Sequence, residues 1–214
     1  MDNQIIHNFC ESRLNNNQAP EIFNSYTSLF ITLMPFIYGL PKRNIFFNVA
    51  CMLIFNGGAS FYYHYTLSWI GKQADEMSMI LATYFGLFGL FKLNYVFNEK
   101  KINCYNAFNN FYMILFLVFN TILELDKLFP IIFGIYIFFI LFFIHKTYLK
   151  YKTNSDLLTL CSYHYELTLS FIGASCWIIS EIYCNKYTQY GHVLWHFLFP
   201  LGFYKLILKY DKLL

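Results

Sequence analysis

His192 and His196 stand four residues apart in the string Gly191-His192-Val193-Leu194-Trp195-His196. Residues at that spacing share one face of a helix, so both imidazoles can reach one metal ion. Ser60 and His64 repeat the spacing within Gly58-Ala59-Ser60-Phe61-Tyr62-Tyr63-His64, and Asp75 with Glu76 follows eleven residues after His64. Three histidines fill three positions of a tetrahedral zinc and leave the fourth open to water, which is the catalytic rather than the structural arrangement. The competing reading is a set of interfacial histidines with a helix-capping aspartate. Which reading holds depends on whether the chain brings these side chains to one place.

The elements that must do so are membrane helices. The chain has 214 residues, 57% hydrophobic and 13% charged, with a mean hydropathy of +0.42. Soluble domains carry roughly a quarter charged residues. A span needs about 20 mostly apolar residues to cross the hydrocarbon, and seven segments qualify. They are Ile22 to Leu40, Ile45 to Thr66, Met77 to Phe97, Tyr105 to Leu123, Leu128 to Tyr148, Leu157 to Tyr183, and Gly191 to Leu208. Backbone groups in lipid must pair within their own segment, and unbroken apolar runs are unlike the alternating strands of a barrel. The expected fold is therefore all-α, an integral membrane bundle of seven transmembrane helices. It forms a single domain over 1–214, with a polar N-terminal segment over 1–21, the bundle over 22–208 and a tail over 209–214. The first twenty residues lack the basic start and apolar core of a cleavable signal, so the first apolar segment is expected to stay in the protein. A formal charge of +3 gives no reason to expect a nucleic-acid partner.

Seven spans put the termini on opposite sides, and Lys and Arg then choose the orientation. Eleven of the 15 basic residues, among them Lys42, Arg43, Lys100, Lys101, Lys150 and Lys209, fall on one side, and four fall on the other. The richer side is expected to be cytosolic, with the N-terminus lumenal or exterior. The end of the second span and the starts of the third and seventh then share the non-cytosolic side. His64, His192, His196, Ser60 and Asp75 can converge there. Polar groups at membrane depth are expensive and face a cavity or a partner. Cys10 and Cys184 are the two cysteines on that oxidising side, and either a disulfide or two free thiols fits.

Three strings carry a resemblance to a known group. Ser60-Phe61-Tyr62-Tyr63-His64-Tyr65-Thr66-Leu67-Ser68, Gln73-Ala74-Asp75-Glu76 and His192-Val193-Leu194-Trp195-His196 look like the signatures of the alkaline ceramidase family. That family belongs to the CREST superfamily of seven-span membrane hydrolases. The likeness extends to Asn8-Phe9-Cys10-Glu11, to Glu21-Ile22-Phe23-Asn24 and to Trp177 with Ile182-Tyr183-Cys184. It implies zinc held by His64, His192 and His196, with Asp75 orienting and deprotonating the water and Ser60 donating to the scissile carbonyl oxygen. The implied reaction is hydrolysis of ceramide, or a related N-acyl sphingoid, to a sphingoid base and a fatty acid. The substrate is thus a membrane lipid, and the compartment the endoplasmic reticulum, Golgi or plasma membrane.

The resemblance also implies a disulfide between Cys10 and Cys184, and a calcium ion held by Asn8, the Phe9 carbonyl, Glu11 and Glu21. The chain departs from the pattern there. Asn8 replaces the usual aspartate, and Arg13 stands where an asparagine ligand is expected. Calcium prefers six to eight hard oxygen ligands, and this segment offers fewer than usual. Ser180 and Glu181 also differ from the family's Asp and Asn or Arg, and His164 with Glu166 in the sixth span has no role the family supplies. Two alternatives stand beside ceramide hydrolysis: another CREST-type hydrolase acting on a lipid ester, and a seven-helix receptor of the adiponectin and progestin type. Such receptors place their termini the other way round.

Overall fold

The computed structural model describes residues 9–95, 98–122 and 128–213. Every element among them is a helix: α1 (Cys10–Leu14), α2 (Ile22–Tyr38), α3 (Asn44–Thr66), α4 (Trp69–Asn94), α5 (Glu99–Phe116), α6 (Leu128–Tyr151), α7 (Ser155–Cys161), α8 (His164–Ile182) and α9 (Gly191–Tyr210). Four stretches are both long and apolar enough to cross a membrane: α3, α4, Glu99–Asn120 and α6. Mean hydropathy reaches 2.5 along α6, yet only 28% of its apolar window is buried. Phe138, Phe142 and Ile131 are exposed on it. A helix that apolar and that uncovered needs lipid as its solvent. The chain is an integral membrane protein.

The expected count of seven spans is larger than these four. α2 is apolar but has 17 residues. α8 and α9 have 19 and 20, and polar side chains such as Glu166, Glu181, His192, His196 and Lys205 dilute their hydropathy. Three segments also differ from the expected bounds. The third segment begins at Trp69 rather than Met77, where Ser68 Oγ accepts from the Gly71 N–H at 3.2 Å in the manner of a helix cap. Lys72, Gln73 and Glu76 are buried in the opening turns that hydropathy assigns to a loop. Asp75 therefore lies within α4 and does not open it. The sixth segment is broken: Ser162 is extended after α7, and α8 starts afresh at His164. His164 and Glu166 thus sit in the first turn of α8, not deep within a span. The fourth segment starts earlier, at Glu99, and continues past α5 as a π-helical stretch, Leu117–Ile122. Leu123 lies outside the described residues.

The helices form two compact units. One contains α1, α2, Cys51–Ser78 from α3 and α4, and His164–Leu206 from α8 and α9. Close approach of its helices depends on glycine, as two positions illustrate. A Cβ on Gly57 of α3 would stand 2.5 Å from the Thr32 backbone nitrogen of α2, and one on Gly191 of α9 would stand 2.1 Å from the Cys176 carbonyl oxygen of α8. Thr32 Oγ1 donates to the Ile54 carbonyl at 2.8 Å, and Ser170 Oγ to the Phe199 carbonyl at 2.9 Å, so the paired helices are also pinned by hydroxyls. In the second unit Asp211 accepts from the Lys42 and Arg43 backbone N–H groups at 2.8 and 2.9 Å, just ahead of α3. Asn94 there reaches Thr147 at 2.9 Å between α4 and α6. All five expected catalytic and metal residues belong to the first unit.

Candidate functional site

His64 comes from the last turn of α3, and His192 and His196 from the first two turns of α9. All three are buried, with 1%, 5% and 2% of their surface exposed. Their ring centroids are 4.9, 5.4 and 4.7 Å apart in the pairs His64–His192, His64–His196 and His192–His196. One nitrogen from each lies within 4.8 Å of the others, and among the described residues no other group of three His, Cys, Asp or Glu side chains does so. Three imidazoles buried this closely together form a donor set that one shared ion would satisfy. A tetrahedral zinc with bonds of about 2.0–2.1 Å would draw its ligand atoms to about 3.3 Å from one another. Rotation about side-chain torsions supplies that difference, so the donor set fits zinc.

Asp75 and Ser60 adjoin the group. Ser60 sits one turn before His64 on the same face of α3, and both the Ser60 hydroxyl and the His64 ring act on the Asp75 carboxylate. The Asn56 amide Nδ2 donates to Asp75 Oδ1 at 2.9 Å and to Ser78 Oγ at 2.9 Å, which fixes one carboxylate oxygen. Asn56, Ser60 and His64 are spaced by four, so α3 presents one polar ridge to α4. Reasoning from the motifs alone misses Asn56, although that spacing is a signal that could have found it.

The N-terminal segment closes over this group. The structure joins Cys10 and Cys184 in a disulfide, with Cα atoms 5.3 Å apart. This carries the Phe9 ring edge-on to His192 at 4.5 Å and beside His64 at 5.1 Å. Trp177 lies edge-on to His192 from α8, at 6.2 Å between ring centroids. Arg13 Nη2 donates to Glu181 Oε2 and to its backbone carbonyl, both at 2.9 Å, and Glu181 Oε1 accepts from the Cys10 N–H at 3.3 Å. The departures Arg13 and Glu181 therefore answer each other as an ion pair.

Glu11 and Glu21 are both buried, with Glu21 fully enclosed. Glu11 accepts from the Phe23 and Asn24 N–H groups at 2.7 and 2.9 Å, at the start of α2 where a carboxylate also suits the helix dipole. Burial pushes its carboxyl above the ordinary value, against those two hydrogen bonds. Burial pushes Glu21 the same way, but His64, Ser12 and Asn24 outweigh it and hold that carboxyl below its ordinary value. Glu21 Oε2 meets His64 Nδ1 at 2.5 Å and Asn24 Nδ2 at 3.2 Å, and Oε1 accepts from the Ser12 N–H at 3.3 Å. The Phe9 carbonyl accepts from the Arg13 N–H and the Ser12 hydroxyl. Asn8 lies outside the described residues. The described donors of the expected calcium set thus accept from N–H and O–H groups in and around their own segment.

The fold and the site together define a class: an all-α membrane protein with a buried three-histidine group that could hold a metal ion, flanked by an aspartate and a serine. The Ceramidase family model matches residues 4–213, and the chain belongs to that family. A search of curated proteins returned no match.

Proposed function

We propose that the chain is a zinc-dependent amidase that hydrolyses ceramide, or a related N-acyl sphingoid, to a sphingoid base and a free fatty acid. The observation that carries the reading is the buried triad of His64, His192 and His196 with Asp75 and Ser60 beside it, in a member of the ceramidase family. Zinc would be held by the three histidines and would supply a Lewis acid that polarises the scissile carbonyl and acidifies water. Asp75 accepts the proton of the attacking water and returns it to the departing amine nitrogen. The Ser60 hydroxyl donates to the carbonyl oxygen as negative charge develops there. Asn56 holds the Asp75 carboxylate in line for both transfers. No step is assigned to calcium.

Apolar, lipid-exposed helices suit a substrate whose acyl chains stay in the bilayer. Cys10–Cys184 acts in this reading as the clasp that keeps the N-terminal segment over the histidines. The direct test is fatty-acid release from ceramide by the purified protein in detergent, run beside a phospholipid ester. Release from ceramide, abolished in Asp75→Asn, is the expected result. Full activity in that variant would overturn the mechanism, and cleavage of the ester alone would move the chain to a different lipid substrate.

A further inference from the structure

Two side chains that the reaction does not use touch two of the three histidines, each at Nδ1. Glu21, the residue just ahead of α2, meets His64 Nδ1 at 2.5 Å, and its backbone N–H donates to the His64 carbonyl at 2.9 Å. Thr27, on the second turn of α2, places Oγ1 3.0 Å from His196 Nδ1. The hydroxyl has one hydrogen, and Thr27 Oγ1 lies 2.6 Å from the Phe23 carbonyl, where it donates back into its own helix. Toward His196 it can then only accept, so His196 Nδ1 carries the proton. Glu21 Oε2 is placed to accept from His64 Nδ1 in the same way. In both rings Nε2 is left with the free lone pair. Among the described residues His192 has no such partner: its Nδ1 is buried without a hydrogen bond, and Phe9 and Trp177 pack edge-on to the ring.

We infer that Glu21 and Thr27 are positioning residues for the metal, and that α2, which contributes no ligand, sets the tautomer and orientation of one ligand from α3 and one from α9. The assignment rests on the three-histidine site being a zinc site. It gives Glu21 a task within the zinc centre. Partners of this kind fix ring orientation and raise ligand basicity, and losing one typically lowers metal affinity about 10–100-fold. The experiment is zinc affinity by chelator competition on the purified full chain, for wild type, Thr27→Val, Thr27→Ser and Glu21→Gln, with zinc per polypeptide as the readout instead of turnover. Thr27→Val keeps the shape and removes the acceptor, so its affinity should fall by about tenfold or more. Thr27→Ser restores the hydroxyl and should remain within about twofold of wild type, whereas Glu21→Gln should fall with Thr27→Val. Wild-type zinc affinity in both Thr27→Val and Glu21→Gln would overturn the assignment while leaving the metal site standing. Equal losses in Thr27→Ser and Thr27→Val would also overturn it, since packing rather than the hydrogen bond would then be responsible. A wild-type chain that takes up no zinc would overturn the metal reading and this assignment together.

Discussion

Asn56, Ser60 and His64 set an amide, a hydroxyl and an imidazole along one face of α3, each one turn from the next, with Asp75 of α4 opposite them. Two of these groups make separate predictions. Asp75→Asn should keep its zinc and lose roughly 10³-fold or more in kcat, because general-base and proton-return roles vanish together; zinc content and single-turnover hydrolysis check this on one sample. Ser60→Ala should cost roughly 10²–10³-fold in kcat with KM little changed, the signature of a donor that acts on developing charge. A KM effect alone would make Ser60 a substrate contact. The types and spacing of these residues are legible in the amino-acid sequence, because i, i+4 pairs need only helical periodicity to be read. What spacing does not show is contact across helices. Glu21 with His64, Thr27 with His196, and Arg13 with Glu181 are separated by 43, 169 and 168 residues. Nothing local in the chain announces such a pair.

At the scale of the element, small residues decide how near the ligand-bearing helices come. Gly191 immediately precedes His192, and its missing Cβ lets α9 rest against the Cys176 carbonyl of α8. Gly191→Val should therefore lower the melting temperature and the zinc content together, since overpacking costs about 1–3 kcal/mol and displaces two ligands with their helix. Unchanged zinc stoichiometry with a normal melting curve would show that the helices reseat without disturbing the site. Breaking the clasp in Cys10→Ser with Cys184→Ser should release Phe9 from His192 and cost about 2–5 kcal/mol of stability, read by thermal unfolding. The helix boundaries show where hydropathy stops being a guide. Lys72, Gln73 and Glu76 look like loop residues to a window that scores polarity, yet they are buried in the opening turns of α4. The helix starts at its cap, Ser68, not at the first apolar run. The break at Ser162 is hidden for the opposite reason, because apolar residues on both sides merge α7 and α8 into one hydropathy peak.

At the scale of the whole molecule, many large apolar side chains face outward while a set of polar ones is buried. Phe138 and Ile182 are 65% exposed, whereas Glu21, Asn24 and Ser25 are fully buried. The Lys and Arg distribution leads to the expectation that the N-terminus lies on the non-cytosolic face. A protease-cleavable tag at the C-terminus of protein in sealed microsomes should be digested from the cytosolic side, and an N-terminal tag protected. The reverse pattern would favour a receptor of the adiponectin and progestin type. The most direct test of the account is zinc content and ceramide turnover measured on the same purified samples of wild type and His196→Ala. About one zinc per chain with fatty-acid release in wild type, and neither in the variant, is the predicted result. Ceramide turnover that persists in His196→Ala without zinc would contradict it.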